Sequence, residues 1–193
     1  MEAITAALDA KYALGSKVAR EEGVQDILLQ MTGRLALAFG RMSAIRGQRI
    51  LDIASGSSTS RAPASLYGQS PFGERRKGLS PRGYTTLFEP WFCRILVELG
   101  ADPVGVDMGD LEGEAFEHYR VDLGQPGALA FLLSHSFDAV QDSRLFGSPE
   151  FSAQFPNPAD RLRVAGEIWT QELRVLKVGG IIIHSDAKNL LGR

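Results

Sequence analysis

The sequence predicts an α/β protein with a doubly wound, mainly parallel sheet of about five strands. The first observation is an aliphatic run at residues 50–53, where Ile50, Leu51 and Ile53 lack the strict alternation of a strand exposed on one face. Such a run is typical of a strand buried on both faces. The second observation is that short apolar segments alternate with helical patterns through the rest of the chain, which implies right-handed crossovers between parallel strands.

Length and composition indicate an ordinary soluble domain. The 193 residues suffice for one domain with a sizeable core, and the net charge of −2 gives no general attraction to nucleic acid or to an anionic membrane. No apolar run approaches the roughly 20 residues that span a bilayer, and the N-terminus lacks the pattern of a secretory signal. The single cysteine, Cys93, excludes an internal disulfide and fits a reducing compartment, so we expect a cytoplasmic protein.

Residues 1–45 are predicted to form a helical extension ahead of the sheet. Apolar residues recur there at spacings of three and four, as on one face of a helix: Val24, Ile27, Leu28, Met31, Leu35 and Phe39. Gly15 favours a helix break, and Gly23 is a further candidate for one. The extension is either a cover packed on the sheet or a lid over a ligand, and the residues leave both open.

Residues 57–83 are predicted to be a long loop, because this stretch rich in Ser, Gly, Pro and Arg has no lasting period. Loops of this length are usually functional or disordered. Its basic residues Arg75, Arg76 and Lys77 either recognise an acidic acceptor or form a solvated segment. Aromatic residues that could stack on bases are nearly absent, so we do not expect nucleic-acid binding.

The remaining elements follow from local signals. A helix is predicted to begin at Pro90, since proline suits the first helical position, and to end at Gly100. The proline signal outweighs a capping-box pattern at residues 86–89, which would start the helix at Thr86. Further strands are predicted at residues 103–107, 118–122, 137–140 and 181–184, with helices at 126–134 and 157–177. The last helix has a capping asparagine and a proline, Asn157-Pro158, at its start and Gly179-Gly180 after its end.

Polar residues end most of these strands. Because ligands of open parallel sheets bind at the carboxyl ends of the strands, we expect a site at this edge. The small residues at 54–58 would let a ligand approach backbone N–H groups. Asp107 follows the second strand, where an acid can accept hydrogen bonds from both hydroxyls of a ribose or merely cap a turn. The pattern indicates a nucleotide-type site.

Four segments in order resemble class I S-adenosylmethionine-dependent methyltransferases: residues 50–58, 96–107, 137–140 and 172–180. The last is similar to the Leu-Lys-Pro-Gly-Gly turn before strand five of that family, with Val178 in place of proline. The resemblance covers about residues 45–186 apart from the loop. It implies a Rossmann-like sheet of order 3-2-1-4-5 within residues 46–193, S-adenosylmethionine as cofactor, and methyl transfer to a small-molecule or protein acceptor.

The resemblance also implies a role for each residue at this edge. The methionine end of the cofactor would be held by the turn, at Asp52, Ala54, Ser55, Gly56 and Ser58. The ribose would bind Asp107 and the adenine would pack near Met108. The adenine amino group would lie by Asp122 and Leu123, although Asp122 could be only a surface strand end.

Gln141 and Asp142 would line the bottom of the pocket near the sulfonium of the cofactor. Asp142 is a candidate for orienting or deprotonating the acceptor, and it could instead be only a turn residue. His184 and Asp186 are further candidates. No metal site is expected, because one cysteine and three scattered histidines offer no zinc-ligand spacing.

The chain departs from the family in ways that suggest a reduced or divergent member. Ala54 and Ser58 replace two glycines of the turn, and neither residue tolerates a positive φ as glycine does. The usual antiparallel strand pair after strand five is expected to be missing. The N-terminal helices, a partner chain or a second copy of the chain would then complete the pocket.

Two alternatives to an active methyltransferase remain open. One is an inactive methyltransferase-like domain that serves binding or assembly. The other is an NAD(P)-dependent oxidoreductase. Two observations argue against it: the Gly-x-Gly-x-x-Gly pattern is absent after the first strand, and Asp107 follows the turn by about 50 residues, whereas about 20 are usual.

Overall fold

The computed structural model describes residues 2–12, 22–56, 89–109, 111–143, 145–146 and 149–185. Its helices are α1 (Glu2–Tyr12), α2 (Glu22–Phe39), α3 (Trp91–Glu98), α4 (Pro149–Gln154) and α5 (Pro158–Val175), with a 3₁₀ turn at Met42–Ile45. Its strands are β1 (Arg49–Ile53), β2 (Asp102–Asp107), β3 (Glu117–Arg120), β4 (Phe137–Ser143) and β5 (Leu176–Ser185). The predicted loop 57–83, the capping-box pattern, the break at Gly15, and the candidates Ser58 and Asp186 lie outside the described residues.

The five strands form one parallel sheet of order β3-β2-β1-β4-β5. This confirms the α/β, Rossmann-like class and the strand order. Within the described ranges, no antiparallel strand joins the sheet. The order reverses between β1 and β4, where Ile53 is paired with Val106 on one side and Asp142 on the other. None of the helices in those ranges is long and apolar enough to cross a membrane.

The sheet has an apolar layer on each face, as the unalternating run in β1 predicted. Leu51 and Ile53 pack in the layer that contains α5, whereas Ile50 packs in the layer of α1, α2 and α3. Because successive side chains of a strand point to opposite faces, Asp52 and Gln141 lie on the α3 face and Asp142 lies on the α5 face. The pleat therefore separates two neighbouring polar residues of β4.

The N-terminal helices pack on the α3 face of the sheet. Leu8 of α1 and Leu28 and Leu35 of α2 are buried there. Tyr12 meets the Trp91 ring edge to face, 6.2 Å between centroids. Helix α2 begins at Glu22, one residue before Gly23, and residues 13–21 lie outside the described residues, so the candidate break near Gly23 stays a prediction.

The predicted helix at residues 126–134 is wrong. The segment is a run of turns, with i→i+3 hydrogen bonds such as Ala128 N–H to the Gln125 carbonyl, and Gly127 has a φ of +69°. The carbonyls of Leu129 and Leu132 also accept hydrogen bonds from the Arg174 guanidinium, at 2.9 and 2.8 Å. The Arg174 side chain of α5 therefore stabilises the turns. Leu129 and Leu132 are spaced as on one face of a helix because both are buried, although the segment is not helical.

The end of α5 differs from the prediction as well. The helix ends at Val175, and Leu176 already pairs with Phe137 of β4. The chain then bulges before Ile181 pairs with Ala139, and Gly179 takes a φ of +79° within the bulge. Lys177 lies in this strand and binds Asp138, 2.7 Å away. The start of α5 is as predicted, with the Asn157 side chain accepting from Ala159 N–H at 3.0 Å. Helix α4 was not predicted.

Candidate functional site

The turn after β1 has the shape that glycines favour, although only one of its described residues is glycine. Ala54 has a φ of +58° and Gly56 a φ of +96°. Ala54 takes this conformation although alanine tolerates it less well than glycine, and a neighbouring bond holds the turn: Ser55 N–H donates to the Val106 carbonyl at 3.1 Å. For alanine the left-handed conformation costs about 1 kcal/mol or more. Ala54 is thus a strained position at the start of the predicted cofactor turn.

Asp107 connects the end of β2 to this turn. Its Oδ2 accepts a hydrogen bond from Gly56 N–H at 2.9 Å, and its Oδ1 accepts one from Gly109 N–H at 2.6 Å. Burial raises the pKa of this carboxyl, and the bonds from Gly109 and Gly56 oppose that rise. A carboxylate offers about four acceptor positions, so two remain for hydroxyl groups of a ligand. The arrangement serves as a turn cap and leaves part of the acceptor capacity of the carboxylate unused by these two N–H groups.

Asp52 and Gln141 lie beneath the turn and not in it. Their side chains are almost fully buried on the α3 face, and Gln141 Nε2 donates to Asp52 Oδ1 at 3.2 Å. The Cys93 thiol approaches the other oxygen at 3.5 Å. Burial raises the pKa of Asp52 to about 7, against the hydrogen bonds from Cys93 and Gln141. Neither Asp52 nor Gln141 is open to direct contact with a large ligand, so both support the turn from below.

The same edge of the sheet extends from β2 toward β3 and contains Met108, Asp122 and Leu123. Val121 N–H donates to the Asp107 carbonyl at 2.8 Å, which places Asp122 next to the end of β2. The Met108 side chain is 39% exposed, as contact with a ligand ring requires.

Asp122 already accepts three hydrogen bonds, from Gly124 N–H and from the side-chain amides of Gln125 and Gln154. The bond from Gln125 is the main cause that lowers the pKa of Asp122. Leu123 packs partly against the α5-face core and lines a shallow groove beside α5. Asp122 and Leu123 thus have structural roles that the sequence did not reveal.

Asp142 lies on the opposite face of the sheet from Gln141, in a cluster of its own. It is fully buried and contacts His184 of β5, whose Nδ1 is 2.6 Å from Oδ1 and 2.8 Å from Oδ2. The Trp169 side chain of α5 also hydrogen-bonds to this carboxyl. Burial raises the pKa of Asp142, and the bond from His184 opposes the rise.

Glu172 of α5 completes this cluster and was not identified from the sequence. It is 1% exposed, and burial together with the nearby charge of Asp142 raises its pKa to about 8, so it is mostly protonated at neutral pH. Within the described ranges its Oε1 has no hydrogen-bond partner. A glutamate on an amphipathic helix resembles any surface residue, so only the packing of α5 on β4 reveals it.

The described residues contain no group of three or more histidine, cysteine and acidic side chains able to hold a metal ion. No protein-family model matches the chain, and no curated protein is significantly similar to it.

Proposed function

We propose that this protein is an S-adenosylmethionine-dependent methyltransferase. The observation that carries the proposal is the hydrogen bond from Gly56 N–H to Asp107, which joins the small-residue turn after β1 to the acid at the end of β2. In a sheet of order 3-2-1-4-5 these residues lie beside the point where the strand order reverses, and ligands bind there.

The residues at this edge fit the cofactor. Asp107 keeps two acceptor positions for ribose hydroxyls, and the exposed Met108 side chain offers an apolar surface for an adenine ring. Ala54 and Ser55 are small enough to leave backbone groups approachable. Asp122 could accept from the adenine amino group only by giving up one of its present donors.

When bound, the cofactor supplies a methyl group that its sulfonium already makes electrophilic. The chain then has to orient the acceptor and exclude water, which are the main contributions that methyl transfer requires of a protein. The buried pair of Asp52 and Gln141 would keep the turn in place during this step. We infer a small-molecule or protein acceptor, a cytoplasmic location and, where the pocket needs completion, a second copy of the chain.

A non-catalytic binding domain is the second candidate. The strained φ of Ala54 and the two backbone donors already bound to Asp107 both favour it, because each lowers the affinity expected for the cofactor. The oxidoreductase gains no comparable observation and is not proposed.

Calorimetric titration with S-adenosylmethionine and S-adenosylhomocysteine tests the proposal. We expect micromolar binding by the wild type, and loss of binding in Asp107→Ala. Asp102→Ala is the matched control, because Asp102 is an exposed acid at the other end of the same strand and should leave binding unchanged. Absence of binding at millimolar ligand in the wild type would contradict the proposal and favour the non-catalytic domain.

A further inference from the structure

The pair of Asp142 and His184 is the main reactive arrangement outside the turn. The two residues are direct neighbours in the register of β4 and β5, at the carboxyl ends of both strands. A carboxylate only accepts hydrogen bonds, so the contacts at 2.6 and 2.8 Å require a proton on Nδ1 of His184. The lone pair of the neutral imidazole is then on Nε2.

Nε2 is available to a ligand in this arrangement. The His184 side chain is 29% exposed, and within the described ranges Nε2 forms no hydrogen bond. Asp142 beneath it is fully buried, so the solvent-exposed part of the pair belongs to the imidazole. An acid that orients an imidazole through one nitrogen and leaves the other nitrogen for a ligand is the geometry of a general base.

Aromatic and apolar groups surround the imidazole. Its ring lies 6.0 Å from that of Trp169 and 6.2 Å from that of Phe146, between centroids. Trp169 and Ile182 are both 39% exposed, and Ile182 lies two residues before His184 on the same face of β5. A flat apolar compound could contact this surface while a polar group reaches Nε2.

We propose that His184, oriented by Asp142, is the general base that deprotonates a phenolic methyl acceptor. This inference rests on the proposed methyltransferase function and adds the class of substrate that would bind at the same edge of the sheet. A phenol combines the ring that Trp169 and Ile182 would contact with a hydroxyl that must lose its proton on methylation. An amine that is already neutral can attack with its lone pair, so this base serves an acceptor that must first lose a proton.

The proton and the electrons balance in this step. The phenol oxygen bonds to the methyl carbon as its proton moves to Nε2 of His184. The bond from that carbon to sulfur breaks and its electron pair stays on sulfur, which leaves S-adenosylhomocysteine. Asp142 balances the positive charge of the imidazolium until the proton passes to solvent.

Two readouts on purified full-length protein test the inference. The first is the visible absorbance of 4-nitrophenol with the protein, because its phenolate is coloured and the phenol is not. The second is methyl transfer from labelled S-adenosylmethionine to 4-nitrophenol and to catechol. Both are made with the wild type, His184→Gln, Asp142→Asn and the control His118→Gln. His118 lies on β3, at the other edge of the sheet.

We expect the wild type and His118→Gln to raise the phenolate absorbance and to methylate at least one phenol. His184→Gln should lose the absorbance change and about 100-fold of the methyl transfer while it still binds S-adenosylmethionine. Asp142→Asn should lower the transfer as well. Retained cofactor binding in the His184 variant shows that it is folded.

Three results would overturn the inference. Transfer by His184→Gln at the wild-type rate would exclude the histidine as the base. A wild type that binds S-adenosylmethionine but neither raises phenolate absorbance nor methylates a phenol would exclude the substrate class. A wild type that does not bind S-adenosylmethionine would overturn the proposed function, and with it this inference, and the calorimetric titration identifies that case.

Discussion

The carboxylate of Asp107 accepts a hydrogen bond from the backbone N–H of Gly56, 2.9 Å away and 51 positions earlier in the chain. It joins the ends of two adjacent parallel strands at the edge where a ligand of this fold binds. The turn contains Ala54 in a left-handed conformation, and this bond holds it together with the bond from Ser55 N–H to the Val106 carbonyl.

Ala54→Gly should stabilise the protein by about 0.5 to 1 kcal/mol. Relief of the positive φ should stabilise the folded state by about 1 to 2 kcal/mol. The greater conformational freedom of glycine in the unfolded chain offsets part of this stabilisation. Urea denaturation measures the difference. Ala130→Gly, at an exposed alanine without a positive φ, should be neutral or destabilising. Equal effects of the two substitutions would show that Ala54 is not strained.

Gly105→Ala should destabilise the protein by about 1 to 3 kcal/mol. A Cβ at Gly105 would lie 2.8 Å from the Phe116 ring and 3.0 Å from Ser55 Oγ, in the turn after β1. Gly166→Ala is the control, because a Cβ at this exposed position of α5 would have open space around it. That substitution should stabilise by up to about 1 kcal/mol through helix propensity. Thermal unfolding of both variants decides the point, and a Gly105 variant as stable as the wild type would contradict it.

Arg94→Ala should destabilise the protein by about 3 kcal/mol or more. The guanidinium is 4% exposed, pairs with Glu89 and, at 2.6 Å, with Glu114, and lies 4.0 Å from the centre of the Tyr12 ring. Its removal would leave buried carboxylates without their cation. Arg163→Ala breaks an exposed ion pair with Glu167 and should cost less than about 1 kcal/mol. Chemical denaturation that gives the two variants similar losses would contradict the importance of the buried network.

Glu172 should make the protein less stable as the pH rises. Its pKa is about 8 in the folded chain and 4.5 in its ordinary state, so the folded state binds the extra proton between these values. The free energy of unfolding then falls as the pH increases through that window. Glu172→Gln should remove this contribution, and the stability of the variant relative to wild type should therefore increase with pH.

Urea denaturation at the two ends of that window measures the effect. Glu167→Gln, at an exposed position of the same helix, should show no such trend. A wild type and a Glu172 variant with parallel pH dependences would mean that Glu172 is ionised at little cost in the folded protein.

The parts of the fold that were predicted correctly depend on local signals. The start of α3 after Pro90 and the start of α5 after Asn157 follow from the conformational limits of proline and the capping ability of asparagine. Strands β1 and β5 followed from aliphatic runs. The turns at residues 126–134 were predicted to be a helix, because no local signal shows that the carbonyls of Leu129 and Leu132 bond to Arg174, which is 45 and 42 residues away.

The sequence by itself determined the fold class, the strand order implied by its resemblance, and the end of β2 at Asp107. Only the tertiary structure decided which face of the sheet each polar residue at the strand ends lies on and which side chains it contacts. The pleat directs Gln141 and Asp142 to opposite faces, and the bulged register of β5 places His184 against Asp142. Packing then buries Asp52 and Glu172 and raises their pKa values. Register and desolvation arise from contacts between distant segments, so no local pattern in the chain encodes them.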